Sequence, residues 1–199
     1  RTFAVTTPSV GVRSRFLRLR TGAAVTIPLD GPAAVVSIDG TVRRLGTPAA
    51  NISAGVAARG RRSAGSIELQ AAPRLWETLS APVRVSWFPR AAREEIVTTP
   101  RPGTTLRPDQ ALTLTFSAPI AGTVAEEKTR LLPATPGHGR VVDPHTVTFE
   151  PSGLGYPFGG SVRITLPKSV RATLPGSART VRPLAWPVEL AVRLSVKAS

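Results

Sequence analysis

Few side chains in this sequence could perform acid–base chemistry, and two of them lie two positions apart. The chain has two histidines, and one of them, His145, follows Asp143. A short segment of alternating side chains begins directly after this pair. Alternate positions of an extended strand share one face, so the carboxylate could orient the imidazole as a base. A nucleophilic triad also needs a positioned serine, and no G-x-S-x-G motif is present. We therefore expect a loop or hairpin role for His145 and no catalytic residue.

Thiol and metal chemistry have little support in the composition. The chain contains no Cys, which excludes disulfides, thiolate nucleophiles and Cys-bound metals. The acidic residues follow no D-x-D-x-D-G loop, and no H-x-x-x-H pair occurs. The adjacent acids Glu94-Glu95 and Glu126-Glu127 would point to opposite faces of a strand, which indicates solvated charge. We expect no metal and no cofactor.

Arginine gives the strongest binding signal. The formal net charge is +14, from 26 Lys and Arg against 12 Asp and Glu, and such a charge favours polyanionic partners. Arg59, Arg61 and Arg62 lie in a Gly/Ala/Ser-rich stretch, and guanidinium groups on a loop suit phosphate or carboxylate contact. Interleaved aromatic residues are missing, so nucleic acid is not the expected partner. The alternative is ordinary surface arginine, spread evenly along the chain.

A glycan site would need exposed aromatic rings. Tyr156 and Phe158, in a Gly-rich segment, are the best candidates for contact with sugar rings. Trp87 and Trp186 fall at positions that alternation assigns to the dry face of a strand. The alternative for Tyr156 and Phe158 is an aromatic plug that covers one end of a sandwich.

Short β-strands must position these residues. Segments such as 112–116 and 161–166 alternate strictly between apolar and polar side chains, a pattern typical of strands with one dry and one wet face. Asp39-Gly40 predicts a type I′ hairpin turn, because glycine adopts positive φ freely. Asp30-Gly31 predicts a second turn, and 73–80 a single helical turn. The predicted strands are 2–6, 16–20, 25–29, 34–38, 41–45, 66–70, 82–88, 111–117, 146–150, 161–166 and 186–196.

The pattern predicts an all-β protein with two consecutive antiparallel β-sandwich domains. The charged stretch 90–95 interrupts the strands, so we place the domains at 1–92 and 93–199. No apolar run reaches the roughly 18–20 residues of a membrane span. The sequence starts with Arg1 and has no Met, so we expect a processed product or a piece of a longer, exported protein.

The second half resembles a bacterial immunoglobulin-like domain. The segments that carry the resemblance are TPRPG at 99–103, LTLTFSAP at 112–119, HTVTFEP at 145–151, GLGY at 153–156 and SVRITL at 161–166. They are similar to the Ig-like domains that precede the catalytic module of actinobacterial L,D-transpeptidases, over 95–187. The resemblance implies an Ig-like second sandwich. It transfers no catalytic residue, because the family's essential Cys has no counterpart here.

These observations predict a non-catalytic, extracytoplasmic spacer that positions an adjoining cell-wall-acting module. The resemblance implies that this module is a peptidoglycan L,D-transpeptidase. The alternative is a binding module for an anionic wall polymer, peptidoglycan glycan or another polyanion, with Arg59, Arg61 and Arg62 or Tyr156 and Phe158 as contacts. A third class, an enzyme with an unrecognised site, would have to start from Asp143 and His145.

Overall fold

The structure is a computed structural model that describes residues 9–20, 22–55, 63–90, 96–126, 130–166 and 184–189. The chain divides into two compact units, unit 1 at 1–94 and unit 2 at 95–199. Strands dominate both units, which confirms the all-β prediction. The predicted division after residue 92 lies close to this one, and the independent folding of each unit stays a prediction.

Unit 1 contains one five-stranded sheet in the described residues. Its order is β1-β5-β4-β2-β3. Every pairing is antiparallel except that of β1 with β5, which is parallel and departs from the predicted antiparallel arrangement. The strands are β1 (Phe16–Leu19), β2 (Thr26–Ile38), β3 (Thr41–Ser53), β4 (Gly65–Ala72) and β5 (Val83–Pro89).

The strands of unit 1 form one hydrogen-bonded sheet, and we infer from the interrupted pairing of β2 and β3 that each of these long strands contributes to two layers. Residues 26–28 of β2 pair with the end of β3, whereas residues 35–38 pair with both the start of β3 and β4. The register shifts between Pro28 and Val35, so the ladder breaks where the chain passes from one layer to the other. Split at this point, the strands give the order A′-G-F-C-C′ and a facing B-E pair, which is an immunoglobulin-like arrangement.

Both layers of unit 1 share one core. The indole of Trp87 is buried and its Nε1–H donates to the Ser63 carbonyl at 3.0 Å. On the other face of β5, Phe88 is also buried, and its ring stacks on Phe16 with the ring centres 5.6 Å apart. The core residues from the B-E pair and from the larger layer include Ile27, Leu29, Ile52, Val36, Ile38, Ile67, Leu69 and Val85.

Unit 2 has two antiparallel sheets and a short helix in its described residues. The sheet orders are β6-β7-β10-β9 and β12-β11-β8. In chain order these are A-B-E-D and G-F-C, the constant-type immunoglobulin arrangement, which confirms the Ig-like prediction. The elements are β6 (Ile96–Thr99), β7 (Leu112–Phe116), α1 (Ala121–Glu126), β8 (Arg130–Leu132), β9 (Gly137–Asp143), β10 (Thr146–Pro151), β11 (Ser161–Thr165) and β12 (Leu184–Pro187).

The two sheets of unit 2 bury their inner faces in one core. Leu112, Leu114 and Phe116 are buried, as the alternation predicts, and they join Val162 and Ile164 from the facing sheet. Trp186 lies in the same core, and its Nε1–H donates to the Pro100 carbonyl at 3.0 Å. No helix in the described part of the chain has the length and hydropathy needed to cross a membrane.

Threonines on the outer face of β7 and β10 are more buried than alternation suggests. Thr115 and Thr148 were expected in solvent but are buried. Their hydroxyls lie 3.3 Å from Thr146 and 3.0 Å from Thr113, respectively. Cross-strand hydroxyl pairs of this kind satisfy the polar atoms and stabilise the strand pairing.

Of the three turns predicted from the sequence, the structure confirms one and contradicts two. Asp39 and Gly40 have φ of 48° and 79°, which confirms the type I′ hairpin. The predicted turn at Asp30-Gly31 is wrong, because β2 continues through it. The predicted helical turn at 73–80 is also wrong, since this segment is a loop. Predicted strand 2–6, and residues 190–196 of the last predicted strand, lie outside the described residues.

Candidate functional site

The Asp143–His145 pair forms a hairpin connection. Asp143 Oδ1 accepts a hydrogen bond from the His145 backbone N–H at 2.8 Å, and His145 Nδ1 lies 3.0 Å from the Phe116 carbonyl. The carboxylate therefore caps the turn between β9 and β10. This geometry confirms the predicted hairpin role of His145.

Two described glutamates face cations on the sheet surfaces. Glu68 pairs with Arg84 at 3.4 Å across β4 and β5, and Glu150 lies 3.3 Å from His138 and 3.5 Å from Arg140. Within the described ranges, no three His, Asp or Glu side chains converge as metal ligands would. Glu94, Glu95 and Glu127, and the side chain of Glu126, lie outside what the structure describes.

The predicted basic site also lies outside the described residues, so Arg59, Arg61 and Arg62 remain a prediction. Four of the described arginines, at 13, 15, 18 and 20, are exposed on or beside β1 and lie close together along the chain. In unit 1, Arg18 on β1 and Arg43 and Arg44 on β3 are exposed at opposite edges of the described sheet. Unit 2 also exposes arginines, at 101, 107, 140 and 163.

Tyr156 is part of the unit 2 core and is not a surface residue. Its side chain is fully buried, its ring centre lies 6.4 Å from that of Phe149, and its backbone N–H donates to the Pro108 carbonyl at 3.0 Å. A buried ring cannot stack on a sugar, so the predicted glycan contact at Tyr156 is wrong. The aromatic-plug alternative describes its position in the structure.

The hydroxyl of Tyr156 has an unusual environment. It is buried and has no hydrogen-bond partner among the described residues. Burial penalises the phenolate, which raises the pKa of Tyr156 above its ordinary value. Gly155 allows this packing, because its φ is 70° and a Cβ there would overlap the Pro108 carbonyl.

Phe158, in contrast, is exposed on an open apolar groove of about 450 Å³. Phe158 is 55% exposed and Leu154, on the same loop, is 90% exposed. Prolines 133, 136 and 157 complete the groove between the β8–β9 and β10–β11 connections. The loop is fixed at its far end, where Gly159 N–H donates to the Glu189 carbonyl at 3.0 Å. The groove offers apolar contact and few polar groups.

The most exposed aromatic residue in the described chain is one that the sequence analysis did not select. Trp76, in the loop between β4 and β5, is 79% exposed. The guanidinium carbon of Arg74 lies 5.8 Å from the Trp76 ring centre, and Arg74 Nη1 lies 3.3 Å from Glu77 Oε1. A tryptophan outside any alternating segment was the available signal, since alternation gives it no place in the core.

Comparison with known proteins gives a limited result. No family model and no curated protein matches the chain. L,D-transpeptidase 3 from Mycobacterium tuberculosis is similar over 46% of this chain and 35% of its own length, with 18% identity and a TM-score of 0.32. The same enzyme with a faropenem-derived adduct gives the same identity and TM-score. The chain thus spans about a third of the transpeptidase length.

A third solved structure covers more of the chain with less similarity. FdeC, an Escherichia coli adhesin, matches 90% of this chain and 63% of its own, with 12% identity and a TM-score of 0.25. The immunoglobulin-like assignment rests on the sheet orders described above and not on these similarities.

Proposed function

We propose that this chain is a non-catalytic, extracytoplasmic accessory region that positions an adjoining cell-wall-acting module. The observation that carries the proposal is that the side chains which could take part in catalysis have structural roles. In the described residues they cap turns, pair across strands or fill cores of two immunoglobulin-like sandwiches. Asp143 and His145, the one obvious start for an active site, hold a hairpin together.

The distribution of charge supports a spacer over a single basic recognition face. A single recognition face gathers its cations on one side, whereas the exposed arginines of unit 1 lie at both edges of the described sheet, with 13, 15, 18 and 20 at the β1 edge and 43 and 44 at the β3 edge. Dispersed arginines still give the surface an overall attraction for anionic polymers. This weak, non-specific attraction would keep the chain close to an anionic wall without fixing it to one site.

The adjoining module and the location outside the cytoplasm rest on the sequence resemblance of segments 99–119 and 145–166. The second unit has the A-B-E-D and G-F-C sheets that this resemblance implies. A wall-acting enzyme of the L,D-transpeptidase class is the module we propose, and its chemistry belongs to residues outside this chain.

The full-length encoded protein tests the proposal. Deleting the region should reduce its activity on isolated walls, while activity on a small soluble substrate stays unchanged. Replacing the region with two unrelated immunoglobulin-like sandwiches should restore activity on walls. If the replacement fails although the hybrid folds, a specific contact by this chain is required and the spacer proposal is wrong. A coding sequence with no further module would also contradict it.

A second candidate function, binding to an anionic wall polymer, is favoured by the net charge of +14. Co-sedimentation with peptidoglycan, with and without attached anionic polymers, tests it across a salt series. Binding through Arg59, Arg61 and Arg62 predicts retention that needs the polymers, falls with salt and is lost on changing these three to Gln. The control changes Arg101, Arg107 and Arg163 to Gln, which removes the same charge. An equal loss in both variants would indicate general attraction only.

A further inference from the structure

The loop between β4 and β5 of unit 1 is fixed at its base. Ser80 N–H donates to the Ala71 carbonyl at 2.9 Å, and Ala71 N–H donates to Ser80 Oγ at 3.1 Å. The Gln70 side chain adds a hydrogen bond to the Ser80 carbonyl at 3.0 Å. These three bonds close the loop 73–80, which therefore presents its tip from a defined position.

At the tip, three side chains form a stack that fixes the orientation of one ring. The side chain of Glu77 is only 8% exposed, and its Oε1 faces Arg74 Nη1 at 3.3 Å. Arg74 in turn lies over the Trp76 ring, 5.8 Å from its centre. A cation over one face of an indole is attracted by the ring quadrupole, and it leaves the rest of the ring exposed. We call Arg74, Trp76 and Glu77 the Trp76 platform.

The size of the exposed surface argues against a protein partner. Only Leu75 joins Trp76 as a large exposed apolar side chain in this loop. Two such side chains supply at most a few hundred Å², on the order of 150–250 Å² for an aromatic residue. A stable protein interface buries about 800 Å² on each partner. The platform matches a ligand of the size of one or two sugar rings.

The charge of the platform indicates an uncharged ligand. Glu77 balances Arg74, and Glu77 Oε2 is buried without a hydrogen-bond partner among the described residues. The pair thus presents little net charge beside the ring. Arg74 retains guanidinium N–H groups that can donate to hydroxyls, because one nitrogen faces Glu77 and the side chain is 57% exposed.

We propose that the Trp76 platform binds a pyranose ring of an uncharged glycan. The C–H face of the sugar packs on the free face of Trp76, because the ring face is electron-rich and the sugar C–H bonds are weakly positive. Arg74 donates to a ring hydroxyl. Glu77 acts as a positioning residue that holds Arg74 in place. This site lies beyond the proposed spacer function and does not depend on it.

Tryptophan fluorescence provides a direct test on the intact chain. The protein has three tryptophans, and Trp87 and Trp186 are buried, so Trp76 is the one accessible to acrylamide. Chitotetraose and cellotetraose serve as probes. We expect one or both to protect Trp76 from quenching at least twofold and to shift its emission to the blue. Protection should persist at high salt, because the interaction involves no net charge.

Four variants assign the roles. Trp76→Ala should abolish sugar binding in calorimetry, and Trp76→Phe should retain part of it, since a smaller ring still stacks. Glu77→Gln should weaken binding severalfold, as should Arg74→Gln, with unchanged circular dichroism. Leu75→Ala is the matched control, because loss of an exposed apolar neighbour that does not contact the sugar should leave affinity unchanged.

Three outcomes would overturn the proposal. One is that neither saccharide protects Trp76 at millimolar concentration. Another is that Trp76→Ala binds the sugar as well as the original chain does. The third is that binding disappears with salt or depends on Leu75 as strongly as on Trp76, which would indicate a charged ligand or a protein partner. None of these outcomes bears on the deletion and replacement test of the spacer function.

Discussion

Unit 1 and unit 2 each bury a tryptophan on the strand that corresponds to G, Trp87 on β5 and Trp186 on β12. In both units the indole N–H donates to a backbone carbonyl at 3.0 Å, but the carbonyls come from different places. Ser63 lies two positions before the start of β4, whereas Pro100 directly follows β6. The buried indole N–H thus has a hydrogen-bond acceptor in both units, but a different segment of the chain supplies this acceptor in each.

The two units also differ in how the chain passes between layers. In unit 1 β2 and β3 each run through both layers, with a register shift at the crossing. In unit 2 each described strand belongs to one sheet. The two units therefore differ both in sheet order and in the route of the chain. The difference lies in whether the chain bends within a strand or ends it.

The largest expected effect comes from removing the two tryptophans. Trp87→Ala and Trp186→Ala should each lower the free energy of unfolding of their own unit by about 3–5 kcal/mol, because a large cavity forms in the core. Urea unfolding followed by circular dichroism and by the remaining tryptophans measures both. If the free energy of unfolding falls far less in one unit than in the other, the two tryptophan positions are not equivalent.

Glycine substitutions compare the packing around these cores, and their expected effects on stability are smaller. Gly155→Ala should cost about 2–3 kcal/mol, because it combines a positive φ with overlap on the rigid Pro108 backbone. Gly65→Ala should cost about 1–2 kcal/mol, since its Cβ would lie 2.5 Å from the Trp87 ring, a side chain that can shift. The measurement is again urea unfolding.

Gly46→Ala is the control for both glycines, because a Cβ there meets nothing within 4 Å. It should change stability by less than about 0.5 kcal/mol. A larger cost at Gly65 than at Gly155 would contradict the distinction between yielding and rigid neighbours.

The smallest expected effect concerns the unpaired hydroxyl of Tyr156. Tyr156→Phe should raise the stability of unit 2 by up to about 1 kcal/mol at pH 7, because a buried hydroxyl without a partner is removed. The pKa of Tyr156 is raised in the folded state, so the folding stability that depends on its protonated form is fully present below about pH 10. This stability is lost as the pH rises further. Unfolding at pH 7 and pH 11 should therefore show a smaller alkaline loss in the variant. An equal loss in both chains would mean that Tyr156 does not titrate as its burial implies.

Alternation predicted the strands that have one buried and one exposed face. β11 follows the pattern because the core covers one side of it, whereas β7 buries its apolar residues as predicted but also buries Thr115 on the other face. The edge strand β9 was missed, since residues 137–141 are exposed and carry no alternation. β2 was divided into two strands, because Asp30-Gly31 resembles a turn and sequence cannot show that the register shift occurs within a continuous strand.

The candidate sites were harder to predict, because they depend on exposure and not on residue type. Tyr156 and Phe158 lie two positions apart in one loop, yet one is buried and the other is exposed. The packing of Gly155 on the Pro108 backbone determines which of the two rings is buried, and Pro108 is remote in sequence from Gly155. Trp76 was not selected, although its position outside every alternating segment was an available signal that it does not belong to the core.

The arginines at the two edges of the unit 1 sheet have a consequence for crowding. An unpaired strand edge is a template on which a second chain can add, and this addition leads to aggregation. Arg18 on β1 and Arg43 and Arg44 on β3 would meet like charges if two copies approached edge to edge. Many copies can therefore stand side by side at high density and still resist polymerising through their open edges.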